Sequence, residues 1–443
     1  MLGAARIGRS AASKAAKNLA GPSFVRSLST TQLVAQKHSG VDRTQSTAFI
    51  RKEGAAEKKL RSGTSTSVSL DNANPEYYSE APDISAKPLN AHSAKENAIN
   101  HFVQFSKGFM ESIGQNHYPG YLGSDFRLFG KPALLYRKIT QTLVDRLAGY
   151  TEEGPKQASV IDGRAGAGKS AELMKLAAVA AASGHIVIYA HSTIPWVDSS
   201  QPYAPVLNSN MFSQHELTTQ LLHSVLAMCE DALTQVPLGK DIVLGKKQLN
   251  ATKSLADLVE FGLQTPSLSQ DALDFLLDIA STQTKVPVLV AVDDVNTLWC
   301  NTAYRDQEDL VLPANRLRLL CSFLPFFDSK KTLTKGWVIG ATSYLRSQFM
   351  SKDLRSKLHP KAQVPIANRE LAKDPNIIKP QTRLPFEVIK LDRMSTNETW
   401  ALMNFYREAN VVTCPITDAF VAKKWIAANG NPREMFKSVT SYF

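Results

Sequence analysis

The chain has 443 residues, 43% of them apolar and 21% charged, and its 51 Lys and Arg against 40 Asp and Glu give a net charge of +11. That length accommodates two or three domains with ordinary cores. No apolar run approaches the roughly 18–20 residues of a membrane-spanning helix, so a membrane is not among the expected partners. Cys229, Cys300, Cys321 and Cys414 show neither C-x-x-C pairs nor zinc spacing, which argues against a disulfide framework or a structural zinc.

The first forty residues contain Arg6, Arg9, Lys14, Lys17, Arg26 and Lys37, many Ser and Ala, and no acid before Asp42. This basic, acid-poor composition is that of a mitochondrial transit peptide, and Arg26-Ser27-Leu28-Ser29 resembles a matrix-protease site. The expectation is a leader over residues 1–28, whose removal lowers the net charge from +11 to +6. A moderately basic mature chain suits contact with RNA phosphates at one surface. Residues 29–91 are polar and lack apolar periodicity, so they read as an extended arm, either ordered along a partner or a plain tail.

A folded region is expected from residue 92 onward. Ser93-Ala94-Lys95-Glu96 has capping-box spacing ahead of Ile99, Phe102, Val103 and Phe105, which predicts a helix to about Gly114. A loop with Tyr118, Pro119, Gly120, Tyr121 and Gly123 follows. Residues 131–148, with Pro132 in the first turn and Leu135, Ile139, Leu143 and Leu147 at helical spacing, predict a second helix.

Residues 163–170 read Gly-Arg-Ala-Gly-Ala-Gly-Lys-Ser and fit the phosphate-loop spacing G-x-x-x-x-G-K-[ST]. In a chain of this length the pattern arises by chance roughly once in a hundred. The flanks supply the required context: residues 158–162 are an apolar strand-like run, and residues 171–182 are rich in good helix formers. In such a loop Gly163, Arg164, Ala165, Gly166, Ala167 and Gly168 turn backbone N–H groups inward around an anion, at the N-terminus of the next helix. Lys169 reaches the β- and γ-phosphates, and Ser170 holds Mg²⁺.

Further strands are expected at 185–190, 286–292, 336–342 and 386–391, with helices near 214–233 and 269–282. Residues 238–252, carrying Lys240, Lys246 and Lys247, read as a solvated basic loop. The run 286–292 is the most apolar and ends in Asp293-Asp294. A buried parallel strand that delivers a carboxylate beside a phosphate loop is how these folds hold Mg²⁺, which nominates Asp293. Asp294 stands where hydrolytic relatives carry Glu to orient water, so it is the one catalytic candidate, and its short side chain argues for slow hydrolysis at most. Thr342 and Ser343 end the next strand, where they either sense a γ-phosphate or make an ordinary turn. Between 352 and 383, Lys352, Arg355, Lys357, Lys361, Arg369, Lys373, Lys379 and Arg383 outnumber the acids, giving either an RNA- or partner-facing surface or a solvated loop. Ser395-Thr396-Asn397-Glu398 is a second capping box. It opens a helical lid over 392–443, in which the turn Asn429-Gly430-Asn431-Pro432-Arg433 either brings Arg433 within reach of a bound phosphate or is ordinary helix-turn chemistry.

The order of these elements resembles the AAA+ and STAND groups of P-loop NTPases. The expected fold is therefore α/β, a parallel five-stranded sheet of order 5-1-4-3-2 over residues 92–391 with a C-terminal helical lid. No N-K-x-D motif is present, so the motifs leave the base open and ATP remains admissible beside GTP or GDP.

A closer resemblance rests on Lys131-Pro132-Ala133-Leu134, Pro195-Trp196-Val197, the block 290–299 (Val-Ala-Val-Asp-Asp-Val-Asn-Thr-Leu-Trp) and Asn429-Gly430-Asn431-Pro432. These resemble the death-associated protein 3 family of mitochondrial small-ribosomal-subunit proteins, and a fungal-type member in particular. The resemblance implies a matrix-located structural protein in the head of the small subunit, near the subunit interface. It implies contacts with small-subunit rRNA and ribosomal proteins and with the large subunit, and a bound guanine nucleotide with Mg²⁺. Asp294 departs from relatives that have Gly there. The competing expectation is a matrix ATPase or signalling switch of AAA+/STAND type, for which Arg383 is the arginine that could act in trans.

Overall fold

Five short runs rich in Val, Ile and Ala form one parallel sheet: β1 Ser159–Asp162, β2 Ile186–Ala190, β3 Val288–Val292, β4 Gly336–Ala341 and β5 Glu387–Lys390. In this computed structural model, which describes residues 85–90, 98–114, 118–150, 157–245, 247–344, 347–359 and 384–440, the strand order is β5-β1-β4-β3-β2. The leader 1–28, most of the arm 29–91, the capping box at Ser93 and the stretch 360–383 with Arg383 lie outside the described residues. The described residues belong to one compact unit, Ser79–Phe443.

Every residue of β1 to β4 is buried. Such strands need cover on both faces, which parallel crossovers supply. Because side chains alternate along a strand, Val160, Ile188, Val290 and Val338 enter one apolar cluster, while Ile161, Val187, Tyr189, Leu289 and Ile339 enter another. The first cluster is closed by α5 His215–Thr234, α6 Leu255–Gln264, α7 Ser269–Thr282 and α8 Arg318–Phe327. The second is closed by α1 Lys107–Ile113, α2 Leu122–Phe129, α3 Lys138–Gly149 and α4 Lys169–Ala182. The register aligns Val292 with Ala190 and Gly340, and Lys390 with Asp162. The C-terminal strand ends therefore share one rim, and the phosphate loop leaves β1 there.

Two expected helices are shorter than their apolar spacing suggests. Phe102–Gln104 is a strand, paired antiparallel with Ala133–Leu135, and α1 starts only after Ser106, whose hydroxyl accepts from Phe109 N at 3.3 Å. Likewise α3 begins at Lys138. The pairing of two three-residue strands is non-local, and local periodicity carries no trace of it. The expected basic loop at 238–252 contains a hairpin, Ile242–Leu244 with Lys247–Leu249. Helix α9, Lys352–Leu358, precedes β5 and exposes Lys352, Arg355 and Lys357.

The C-terminal helices α10 Thr396–Glu408, α11 Asp418–Ala428 and α12 Pro432–Thr440 build a third cluster with Phe102, Phe129, Ala133 and Leu135. Phe102 and Phe405 stack with ring centroids 3.5 Å apart. The lid thus shares its core with the N-terminal strand pair, and the two together flank the phosphate loop.

Candidate functional site

Residues 163–168 connect β1 to α4 as a turn in which Gly166 (φ +76°) and Gly168 (φ +100°) take left-handed backbone conformations. Side-chain-bearing residues avoid that region because Cβ crowds the carbonyl. Lys169 then curls back over the loop, its Nζ donating to the carbonyls of Gly163 at 2.7 Å and Arg164 at 2.9 Å. The lysine is 6% exposed. Burial pushes its pKa down, and the nearby carboxylates of Asp162, Asp293 and Asp294 oppose that shift.

The acidic end of β3 meets the first turn of α4. Asp293 is buried and receives a hydrogen bond from the Ser170 side chain, so the two residues nominated for the metal lie together. Desolvation first, and the adjacent Asp294 charge second, push the Asp293 carboxyl well above the usual range. A divalent cation at this pair would reverse that pressure, because it favours the ionised form. Asp294 has φ +54°, a conformation that Asp and Asn tolerate and Gly adopts freely. Its Oδ2 accepts from the Ser192 hydroxyl at 2.8 Å. Thr193 Oγ1 donates to the carbonyls of Asp293 at 2.9 Å and Asp294 at 3.0 Å, which fixes the strand end.

The next strand end is tied to this one. Asn296 Oδ1 accepts from Ser343 N at 2.9 Å, while Thr342 Oγ1 donates to Asp162 Oδ1 at 2.9 Å. Asp162, the last residue of β1, also accepts from Tyr344 OH at 2.7 Å and Lys390 Nζ at 2.5 Å. Burial alone would raise the Asp162 pKa, but hydrogen bonds from Lys390, Tyr344 and Thr342 outweigh it and hold the carboxyl below its ordinary value.

From the lid, Asn431 Nδ2 donates to Ala165 O at 2.8 Å, and Arg433 N donates to Gly166 O at 3.3 Å. The Arg433 guanidinium lies 4.0 Å from the Tyr121 ring centroid, and its Nη1 donates to Asp125 Oδ1 at 3.0 Å and Oδ2 at 3.3 Å. Behind the loop, buried Arg137 donates to Ala167 O at 3.3 Å and Asp392 O at 3.1 Å, and its Nε stands 3.4 Å from Glu398. Glu172 and Lys175, both 1% exposed, pair at 3.0 Å and share Thr140.

A cavity of about 330 Å³ is lined by Ala165–Ser170, Arg433 and Asp125 and also by the apolar Phe129 and Leu135 and by Tyr406. Its polar lining includes the loop, Lys169 and Ser170, the last of which donates to Asp293. The remaining lining supplies apolar and aromatic walls. A Mg²⁺-bound polyphosphate carrying a flat heterocycle has this same division of polar and apolar parts.

Of the residues nominated from sequence, Ala165, Gly166, Ala167, Gly168, Lys169, Ser170, Thr342 and Arg433 line this cavity. Gly163 and Arg164 contribute carbonyls to Lys169, and Asp293 pairs with Ser170. Sequence reasoning missed Asp125, Arg137, Asp162, Tyr344 and Lys390. Asp162, directly before the first loop glycine, was the one signal available for finding any of them.

A family model described as mitochondrial ribosomal death-associated protein 3 matches residues 134–438. Small ribosomal subunit protein mS29 of Schizosaccharomyces pombe is 22% identical over 332 residues, covering 71% of this chain and 66% of that protein. The protein of the same name in Bos taurus is 24% identical over 227 residues, covering 50% of this chain and 56% of that one. Its counterpart in Neurospora crassa is 21% identical over 326 residues, covering 70% and 68%. The alignments with the first two relatives thus span less than two thirds of their length. Among solved structures, AMPPCP-bound DnaA from Aquifex aeolicus aligns at a TM-score of 0.30 and 11% identity, over 69% of this chain and 60% of that one, a likeness too slight to build on.

Proposed function

The chain belongs to the mitochondrial ribosomal death-associated protein 3 family, and from that premise we propose that it is a structural component of the mitochondrial small ribosomal subunit which holds a guanine nucleotide, GTP or GDP, with Mg²⁺ as part of its own fold. The observation that carries the nucleotide reading is the meeting of three elements on one loop. Ala165–Ser170 of the phosphate loop and Arg433 of the lid turn line the cavity, Asp293 accepts a hydrogen bond from Ser170 of that loop, and Asn431 donates to its Ala165 carbonyl. On this reading the sheet and lid form an AAA+/STAND-type unit in the mitochondrial matrix, in the head of the small subunit near the interface with the large one. The fungal and bovine relatives, named as small-subunit proteins, support the ribosomal part. Exposed Lys352, Arg355 and Lys357 on α9 suit rRNA phosphates.

The site favours holding over turnover. Asp294 Oδ2, at the water-orienting place, accepts from Ser192, and Thr342, at the γ-phosphate-sensing place, donates to Asp162. Neither side chain is left with its whole polar capacity for catalysis. A ligand that binds only the folded state stabilises it by RT ln(1 + [L]/Kd), about 2.7 kcal/mol at a hundredfold excess, with no hydrolysis required. The test is Lys169→Ala in the full chain, with bound nucleotide measured after purification and co-sedimentation with the small subunit scored separately. The expected result is lost nucleotide and weakened incorporation. Unchanged nucleotide content would sink the site assignment.

A further inference from the structure

Eight large apolar side chains are exposed among the described residues, and four of them, Tyr203, Leu207, Leu310 and Val311, sit on two hairpins. One hairpin pairs Ala204–Pro205 with Phe212–Ser213, and the other pairs Asn301–Arg305 with Val311–Pro313. Leu207, at the tip of the first, is 92% exposed. The hairpins are fastened to each other. Tyr203 OH donates to Arg305 O, the Tyr203 and Tyr304 ring centroids stand 4.7 Å apart, and Arg316 Nη1 donates to Asn210 O at 2.9 Å. The tips are internally braced as well: Val206 N donates to Met211 O at 2.9 Å, and Asp306 Oδ1 accepts from Glu308 N and Leu310 N at 3.0 and 2.9 Å. This is a pre-formed apolar surface, and such surfaces exposed to water mark interaction sites.

Charge decides the kind of partner. Residues 199–213 contain no charged side chain, and residues 301–313 contain Arg305 against Asp306, Glu308 and Asp309. Arg305 is itself paired with Asp309 at 3.2 Å, and counting Arg316, whose guanidinium meets Asn210 O, the acids still exceed the bases by three to two. On a chain of net charge +11, this is a locally negative, apolar surface, whereas RNA requires cations facing its phosphates. We propose that the paired hairpins are a docking surface for a segment of a neighbouring protein that carries apolar side chains flanked by Lys and Arg. The ribosomal reading supplies a crowd of such neighbours, and the proposal rests on it to that extent.

The experiment places a photoreactive benzophenone amino acid at position 207, and separately at 310, of the full chain in mitochondria. Small subunits are then isolated, and the cross-linked species are sequenced. The expected product is one defined peptide of net positive charge from another protein. Its yield should fall about ten-fold, as for loss of an interface anchor, in Glu308→Lys with Asp309→Lys, and in Val311→Ser for the probe at 207. Thermal unfolding of the purified variants is measured alongside, because Asp309 is paired with Arg305 and Val311 is only 42% exposed, and the yields are compared among variants that melt with the parent. Cross-links to rRNA or to a second copy of this chain, a yield indifferent to charge reversal, or no cross-link at all on subunit-bound chain would each overturn the proposal. Sedimentation is scored independently: a chain that stays off the subunit but cross-links to a basic protein segment keeps this proposal and overturns the ribosomal one.

Discussion

Replacing Gly166 by Ala tests how the lid is seated on the phosphate loop. Two costs add at this position. The backbone has φ +76°, and an L-residue in the left-handed region costs about 1–2 kcal/mol. A Cβ there would also stand 2.7 Å from Arg433 Cβ and 2.9 Å from Asn431 Oδ1, against an ordinary contact of about 3.5–4.0 Å. The turn must therefore retreat by about 1 Å, which breaks the Asn431–Ala165 and Arg433–Gly166 hydrogen bonds at about 1 kcal/mol each. Gly184→Ala is the matched control, because Gly184 has φ +74° but nothing within 4 Å of the added carbon. Urea denaturation of the full chain without nucleotide should show about 1–2 kcal/mol lost in the control and about 3–4 kcal/mol lost in Gly166→Ala. Equal losses in the two variants would refute the idea that the lid turn is seated on Gly166.

Three further predictions rest on the same site. Asp125 and Arg433 side chains are each 22% exposed and share a two-pronged contact, so a double-mutant cycle to Ala should give a coupling of about 1–2 kcal/mol; a value within error of zero contradicts the pairing. Asp294→Gly removes left-handed strain and one hydrogen bond of about 1 kcal/mol, so stability and nucleotide content should stay near the parent values, whereas loss of nucleotide would show a direct role for the carboxylate. Asp162 has a depressed pKa in the folded state. Its contribution is therefore fully present above the unfolded value of about 3.9 and is lost as pH falls through the folded one. Melting temperatures measured from pH 7 down to 3 should fall less steeply in Asp162→Asn than in the parent, and parallel curves would contradict the assignment.

What the sequence reveals here follows the range of the interactions. The loop 163–170, the five strands and α7 are local patterns of spacing and apolarity, and they are legible to within a residue or two. Residues 133–135 look helical because Leu135 falls in phase with Leu143 and Leu147. What makes them a strand is Phe102–Gln104, some thirty positions away, together with the lid packing of Phe405 against Phe102. The polar ties of the site are longer still. Lys390 reaches Asp162 across 228 positions, and Arg433 reaches Asp125 across 308. No spacing rule links such residues. Asp293 was legible because a strand supplies it at a fixed place, whereas Asp125 lies on a helix that Tyr118, Pro119 and Gly120 disguise as loop.

Under the proposed function the phosphate loop keeps a nucleotide as a part of the scaffold. The most direct test is mass spectrometry of nucleotide released from purified small subunits that carry this chain, sampled over hours after isolation. The expected result is one guanine nucleotide per subunit, unchanged in amount and phosphorylation state over that time, and absent from subunits carrying Lys169→Ala. Subunits without nucleotide, or a triphosphate steadily converted to diphosphate, would contradict it.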